Sequence, residues 1–279
     1  MSNVISRVLI FALGIPAVGA LIYFLPQWNH IGVALVVCLF SALGGQEFYN
    51  ILAGPRRTKA GWCTAFIAAL LLPLSGYLAE VGLISVDLPL SILTIYVLFI
   101  LSRQIFTKTD NVGSILYRVE EQLFPALYPG LLAVFLVRIG TLPNATFLYF
   151  AFFAMTFGND SLAWFTGSYF GKKRNIIPIS PNKSVAGFIG GIAASLIVGV
   201  ACPLFWPQVF PQGLLKWIGL GFCVGVAVIL GDLAESALKR SAGIKDSGSV
   251  IPGRGGVLDS IDSLLFAAPV FYYLVHFFF

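Results

Sequence analysis

Between two long apolar runs the chain carries SALKRSAGIKDSGSVIPGRGGVLDSID, Ser236 to Asp262. Only 10% of the whole sequence is charged, yet this stretch alone holds four cations and three carboxylates. It also holds five glycines and one proline. Much of it is therefore loop, because these residues punctuate regular structure. The flanking runs, about 214–238 and 259–278, are apolar enough to read as membrane helices. A dense polar loop between two such helices sits at a membrane surface, and its mixed charge points to chemistry on a charged substrate.

The rest of the sequence agrees with that setting. Of its 279 residues 58% are hydrophobic, and the mean hydropathy is +0.91. Soluble domains are roughly half apolar and about a quarter charged. The chain reads as an all-α polytopic membrane protein, since lipid cannot satisfy free backbone groups. About nine transmembrane helices fit, at about 6–25, 30–50, 62–82, 87–103, 122–140, 145–166, 185–205, 214–238 and 259–278. This layout puts 15 of the 17 Lys and Arg residues on one side, Lys108 among them. Arg138 and Lys216 alone fall on the other side. The positive-inside rule then makes the N-terminus cytoplasmic.

Arg7 and the apolar run to Leu25 resemble a signal peptide, but an uncleaved first span suits a chain apolar throughout. Residues 1–140 form the N-terminal helices and 141–279 the catalytic region, within a single integrated membrane domain. The net charge of +5 does not indicate nucleic acid, because the cations gather in loops. Cys38, Cys63, Cys202 and Cys223 show no metal-ligand spacing and read as small buried hydrophobes. His30 and His276 are isolated at span ends. Glycine pairs at 187/191 and 221/225 have the spacing that lets membrane helices approach closely.

Three groups of residues carry chemistry. Asp232, Glu235, Ser236 and Lys239 share one helix face at i, i+3, i+4 and i+7. Asp259 and Asp262, at i and i+3, begin the next helix. Carboxylate oxygens from two helices suit a magnesium ion, with phosphate and water completing the shell. The plain structural alternative is helix capping, or pairing with Lys239 and Arg240. Lys239, Arg240, Lys245 and Arg254 surround a glycine-rich turn containing Gly255 and Gly256, where backbone N–H groups can approach an anion. Together these features suggest a polyphosphate ligand. Upstream lie Asp160, then Gly167, Gly171 and Lys172, then Lys183 and Ser184. Gly167–Lys173 is not a P-loop: three residues separate its glycines, and Lys173 stands where Ser or Thr belongs. Glu47, late in the second run, is either functional or interfacial.

The spacing Ser236-x-Leu238-Lys239-Arg240, Lys245-Asp246-x-Gly248, Pro252-Gly253-x-Gly255-Gly256 and Asp259-x-x-Asp262 resembles the C-terminal motif of the phosphatidate cytidylyltransferases, or CDP-diacylglycerol synthases. Asp160, Gly167, Gly171-Lys172, Ser180-Pro181, Lys183-Ser184 and Gly187 resemble the same family, which extends the likeness over about 157–278. The first half agrees only in hydrophobic pattern.

The resemblance implies a homodimeric membrane enzyme that joins CTP to phosphatidic acid, with Mg2+ and a monovalent cation such as K+. It implies Asp232 and Asp259 as metal ligands. Lys239, Arg240, Lys245, Asp246 and Asp262 become catalytic. Asp160, Lys172, Lys183, Ser184, Ser236, Arg254, Gly255 and Gly256 bind substrate. Three positions depart from the family pattern: Arg254 stands for a usual His, Ser260 for an Arg, and Ala186 for Glu or Gln. Arg254 cannot accept a proton near neutral pH. The expected setting is a bacterial inner membrane with the site facing the cytoplasm. Other readings stay open: a CTP-dependent enzyme for another lipid phosphate or a lipid alcohol, polyprenol-kinase-like, or an ion-coupled membrane transporter.

Overall fold

The computed structural model describes residues 3–106, 109–210 and 213–278; Lys108 lies outside them. Ten α-helices follow one another: α1 (Asn3–Phe24), α2 (Gln27–Ala53), α3 (Lys59–Glu80), α4 (Leu88–Gln104), α5 (Ile115–Pro125), α6 (Leu132–Arg138), α7 (Ala145–Phe170), α8 (Val185–Phe205), α9 (Leu214–Ser241) and α10 (Leu258–Phe278). A π-helical segment, Ala126–Leu131, joins α5 to α6.

Six of these segments, not about nine, are long and apolar enough to cross a membrane among the described residues. They are Gln27–Arg56, Lys59–Glu80, Val112–Thr141, Val185–Phe205, Leu214–Ser241 and Leu258–Phe278. The nine-span layout differs at three places. Leu88–Gln104 is apolar but short, and of the first expected span only Leu13–Phe24 is described in full. Helix α7 has the length, but Asn159, Asp160 and Ser161 in its middle make it too polar. The cytoplasmic N-terminus inferred from nine spans loses its basis with them, and the orientation of the termini is undetermined.

The chain divides into two compact units. Unit 1 comprises Met1–Arg138 and Ala242–Ile261; unit 2 comprises Ile139–Ser241 and Asp262–Phe279. In unit 1, Pro73 inside α3 cannot donate to the carbonyl of Ala69. Ser41 of α2, fully buried, takes up that loss: its hydroxyl lies 2.7 Å from the Ala69 carbonyl and 2.9 Å from that of Pro129. Gly45 permits the close approach, since a Cβ there would sit 2.5 Å from that of Ala69. Helix α2 ends at Gly54, whose φ of +50° places it in the left-handed region. Thr58 then caps α3 by accepting the Gly61 N–H at 3.0 Å.

Unit 2 is built on a seam of small residues between α7, α8 and α9. The expected glycine pairs lie in it. A Cβ at Gly191 would collide with the Asn159 side chain, and one at Gly221 would lie 2.6 Å from the Ser195 carbonyl oxygen. The closeness lets polar groups on the three helices bond. Asn159, buried, donates to the Ser195 hydroxyl and the Gly225 carbonyl, each at 3.1 Å. Ser195 in turn donates to the Met155 carbonyl at 3.0 Å. Between α9 and α10, Gly231 plays a similar part: its Cβ would lie 2.9 Å from the Asp262 carbonyl oxygen.

This seam makes a prediction about stability. Gly221→Val should cost about 1–3 kcal/mol by overpacking, read as a lowered midpoint of thermal unfolding in detergent. Gly219→Val is the control, since a Cβ there meets nothing within 4 Å. Equal midpoints for the two variants would remove the close-packing argument.

Candidate functional site

In unit 2 the chemistry gathers on α9. Asp232, Glu235, Ser236 and Lys239 share its face, as their spacing requires. Ser236 donates to Asp232 Oδ1 at 3.4 Å. The Lys239 ammonium pairs with Glu235 at 2.5 Å, and both side chains are buried. From a different part of the unit, Lys183 forms an ion pair with Asp232. Asp262, 7% exposed, accepts the Ser263 N–H at 2.6 Å and feels the charges of Asp232, Asp160 and Lys239. Four carboxylates, those of Asp160, Asp232, Glu235 and Asp262, and two lysines, Lys183 and Lys239, are thus linked from widely separated sequence positions by ion pairs and by charge interactions with Asp262.

The segment before α8 brings Lys183 to this cluster. Asn175, at φ +59°, donates its N–H to the Pro181 carbonyl at 2.9 Å, and the Lys183 N–H reaches the Ser180 carbonyl at 3.1 Å. Ser184 is the N-cap of α8: buried, it accepts the Gly187 N–H at 3.1 Å. Arg174 covers the end of α7, donating to the Gly167 and Gly171 carbonyls at 3.3 Å each. Lys172 and Arg240 are exposed. Ala186, a departure from the family pattern, lends its carbonyl to the Thr166 hydroxyl at 3.0 Å.

Unit 1 holds the glycine-rich loop. Pro252 and Gly253, the latter at φ +77°, form a reverse turn closed by the Arg254 N–H on the Ile251 carbonyl at 3.1 Å. Ile251 and Gly255 exchange both backbone hydrogen bonds, at 2.8 and 3.0 Å. Asp259 Oδ2 accepts the N–H groups of Gly256 at 2.7 Å and Ser247 at 2.9 Å. Gly255 has φ +111°, and a Cβ there would collide with Asp259. Lys245 and Asp246 are exposed, and Arg254 is half-buried. Ser260, the third departure, donates to the Gly256 carbonyl at 3.3 Å.

A residue that the sequence left unassigned organises this loop. Glu47 of α2 is 5% exposed. Its carboxylate accepts the Val257 N–H at 3.0 Å, the Leu258 N–H at 2.9 Å and the Ser247 hydroxyl at 2.9 Å. It thereby satisfies the first turn of α10 and places a negative charge at the positive end of that helix. Gly248 and Gly256 are packed against it, leaving no room for side chains. An acid within an apolar run was the only sequence signal. Its partners lie 200 or more positions away, beyond the reach of any local pattern.

Removing the Glu47 carboxylate leaves buried donors unpaired, at about 1–3 kcal/mol each. Glu47→Ala should therefore speed hydrogen exchange at Val257 and Leu258 by tenfold or more, while Glu47→Gln keeps part of the protection. Unchanged exchange in the alanine variant would show that the loop holds its shape without the clamp.

Comparison with known proteins agrees with these motifs and extends the match upstream. Residues 5–278 match the model of the cytidylyltransferase family. The phosphatidate cytidylyltransferase of Synechocystis sp. is 46% identical over 125 residues, which cover 44% of this chain and 41% of that protein. That of Bacillus subtilis is 36% identical over 185 residues, covering 64% and 65% respectively. The uncharacterized protein YnbB of Escherichia coli is 41% identical over 128 residues, covering 44% and 41%. In each case the alignment spans less than two thirds of the relative. The nearly full-length match shows that the chain belongs to the cytidylyltransferase family, that of the phosphatidate cytidylyltransferases, or CDP-diacylglycerol synthases.

Proposed function

We propose that this protein transfers a cytidylyl group from CTP to phosphatidic acid, giving CDP-diacylglycerol and pyrophosphate. The observation that carries the proposal is the unit 2 cluster, in which Asp160, Asp232 and Asp262 are combined with Lys183 and Lys239. The relatives in Synechocystis and Bacillus are phosphatidate cytidylyltransferases, which supports it.

Two polyanions must meet in this reaction, so their repulsion is a large part of the barrier. A phosphate oxygen of the lipid attacks the α-phosphorus of CTP. The new P–O bond forms as the bond to the β-phosphate oxygen breaks, and pyrophosphate leaves. The lipid phosphate is already ionised, so no protein nucleophile is required. Lys183 and Lys239 lower the repulsion, and their carboxylate partners hold them in place beforehand, which is how preorganised charge accelerates a reaction. Arg240, Lys245 and Arg254 are proposed as further phosphate-binding cations, and Lys172 as a surface cation that attracts the nucleotide.

Magnesium is the cofactor the family implies. Among the described residues no three His, Cys, Asp or Glu side chains are grouped closely enough to hold a metal ion. The donor chemistry nonetheless fits. Magnesium is usually held by one or two carboxylates, with water and substrate phosphates filling the octahedron. Asp232 would hold it, with Asp160 and Asp262 supplying the negative field. When bound it supplies charge neutralisation and polarisation of phosphoryl oxygens. Asp259 is the other ligand implied by the family, and it also shapes the glycine-rich loop through its Oδ2. The enzyme is further proposed to work as a homodimer in a bacterial inner membrane, facing the cytoplasm, where CTP is dissolved and the lipid arrives from the bilayer.

The test uses purified protein in detergent with phosphatidic acid, magnesium and CTP labelled at the α- or γ-phosphate. Label from the α-position should enter the lipid phase, and chelation should stop it. Transfer of the γ-label would instead identify a lipid kinase. Asp232→Asn should lower turnover by on the order of a hundredfold or more. Asp259→Asn keeps one acceptor for the loop, so a deep loss of turnover with unaltered loop exchange would favour its metal role. No labelled lipid from folded protein would overturn the proposal.

A further inference from the structure

Unit 1 contains a cavity that cytidylyl transfer leaves unused. It measures about 670 Å³, and none of its lining residues belongs to the 242–261 loop or to unit 2. Three guanidinium groups line it: Arg56 just beyond α2, Arg103 in the last turn of α4 and Arg118 in the first turn of α5. Glu121 contributes the one lining carboxylate and is paired with Arg56 at 2.7 Å. These groups gather where α2 and α4 end and α3 and α5 begin, at the polar end of the unit's helices. Arginine is favoured for phosphate because its planar fork can bind two oxygens at once.

A second cavity adjoins the first and has the opposite character. It is an apolar groove of about 160 Å³ that shares Thr64, Tyr96 and Phe99 with its neighbour. From there it runs between α3 and α4, past Ile67, Leu71, Ile92 and Leu93. Along each helix these residues lie about two turns or less further from the arginine-bearing end. Cations at the helix ends therefore lead directly into an apolar channel directed along the helices. Inorganic phosphate or a free nucleotide has nothing to place in that channel. A zwitterionic lipid would bring its own cation against the arginines. An anionic phospholipid satisfies both parts.

We propose that unit 1 binds an anionic phospholipid, its phosphate on Arg103 and Arg118 and one acyl chain in the groove between α3 and α4. This inference stands apart from the reading of the reaction, because binding requires no turnover. The site is a second lipid site, carried by the half of the chain whose sequence motifs are weakest.

The experiment incubates the full-length protein in detergent with a photoactivatable phosphatidylglycerol, a phosphodiester with no free phosphomonoester to accept a nucleotidyl group. Label is expected on peptides from residues 88–104 and 115–125. Arg103→Gln/Arg118→Gln should reduce it about tenfold or more. Arg103→Lys/Arg118→Lys should retain most of it. Arg57→Gln/Lys59→Gln, which removes neighbouring cations outside the cavity, should leave it unchanged. On the unmodified protein, excess phosphatidylglycerol should compete the label away, while phosphatidylcholine and inorganic phosphate should not. Equal competition by phosphatidylcholine would reduce the site to an apolar groove. Equal competition by inorganic phosphate would make it a free-anion site. Either result, or full labelling of the glutamine variant, overturns the proposal, and the competition arms decide it even if that variant fails to fold.

Discussion

Glu47 carries a buried carboxylate on an otherwise apolar membrane helix, and a charge in that position is costly unless donors surround it. Its donors are the Ser247 hydroxyl and the N–H groups of Val257 and Leu258. The arrangement answers two needs at once. The carboxylate gains hydrogen bonds, and the first turn of α10 gains partners for N–H groups that no helix can satisfy internally. The loop between α9 and α10 takes its shape from this contact. Asp259, next in sequence to Leu258, repeats the device by accepting the N–H groups of Gly256 and Ser247. Gly248, Gly255 and Gly256 are required because the two carboxylates fill the space that side chains would occupy.

The same rule governs unit 2 by other means. An apolar environment does not reward helix association through the hydrophobic effect, so packing and interhelical hydrogen bonds must supply it. Small residues bring α7, α8 and α9 close enough for Asn159 to reach both Ser195 and Gly225. The rigid seam sets the position of Asp160, one residue beyond Asn159, and of the α9 face that carries Asp232 and Lys239. The geometry of the candidate site and the helix packing are thus parts of one structure. Two ion pairs lie on or against that face: Lys239–Glu235, which is buried, and Lys183–Asp232, which is partly exposed.

Much of this was legible in the sequence, residue by residue. The i, i+3, i+4, i+7 spacing put Asp232, Glu235, Ser236 and Lys239 on one face, because helical periodicity is a property of the backbone. Pro252-Gly253 announced its turn through the dihedral preferences of two residues. The glycine pairs of α8 and α9 indicated close packing. Ser184 was harder to judge: as part of a motif it suggested substrate contact, and the structure shows it capping α8. Apolar run length misjudged the spans, because α7 is long but carries Asn159 and Asp160 within it, and the segment at 88–104 is short.

The sequence by itself determined a helical membrane protein, the polar loop 236–262 and the residue types of the proposed phosphate-handling site, because composition, period and turn chemistry act over a few neighbouring residues. The tertiary structure alone decided that Glu47 holds Val257 and Leu258, that Lys183 pairs with Asp232, and that Arg56, Arg103 and Arg118 line one cavity. Each of these contacts joins residues from different helices or loops. Their pairing depends on how the helices pack, and no local preference encodes it.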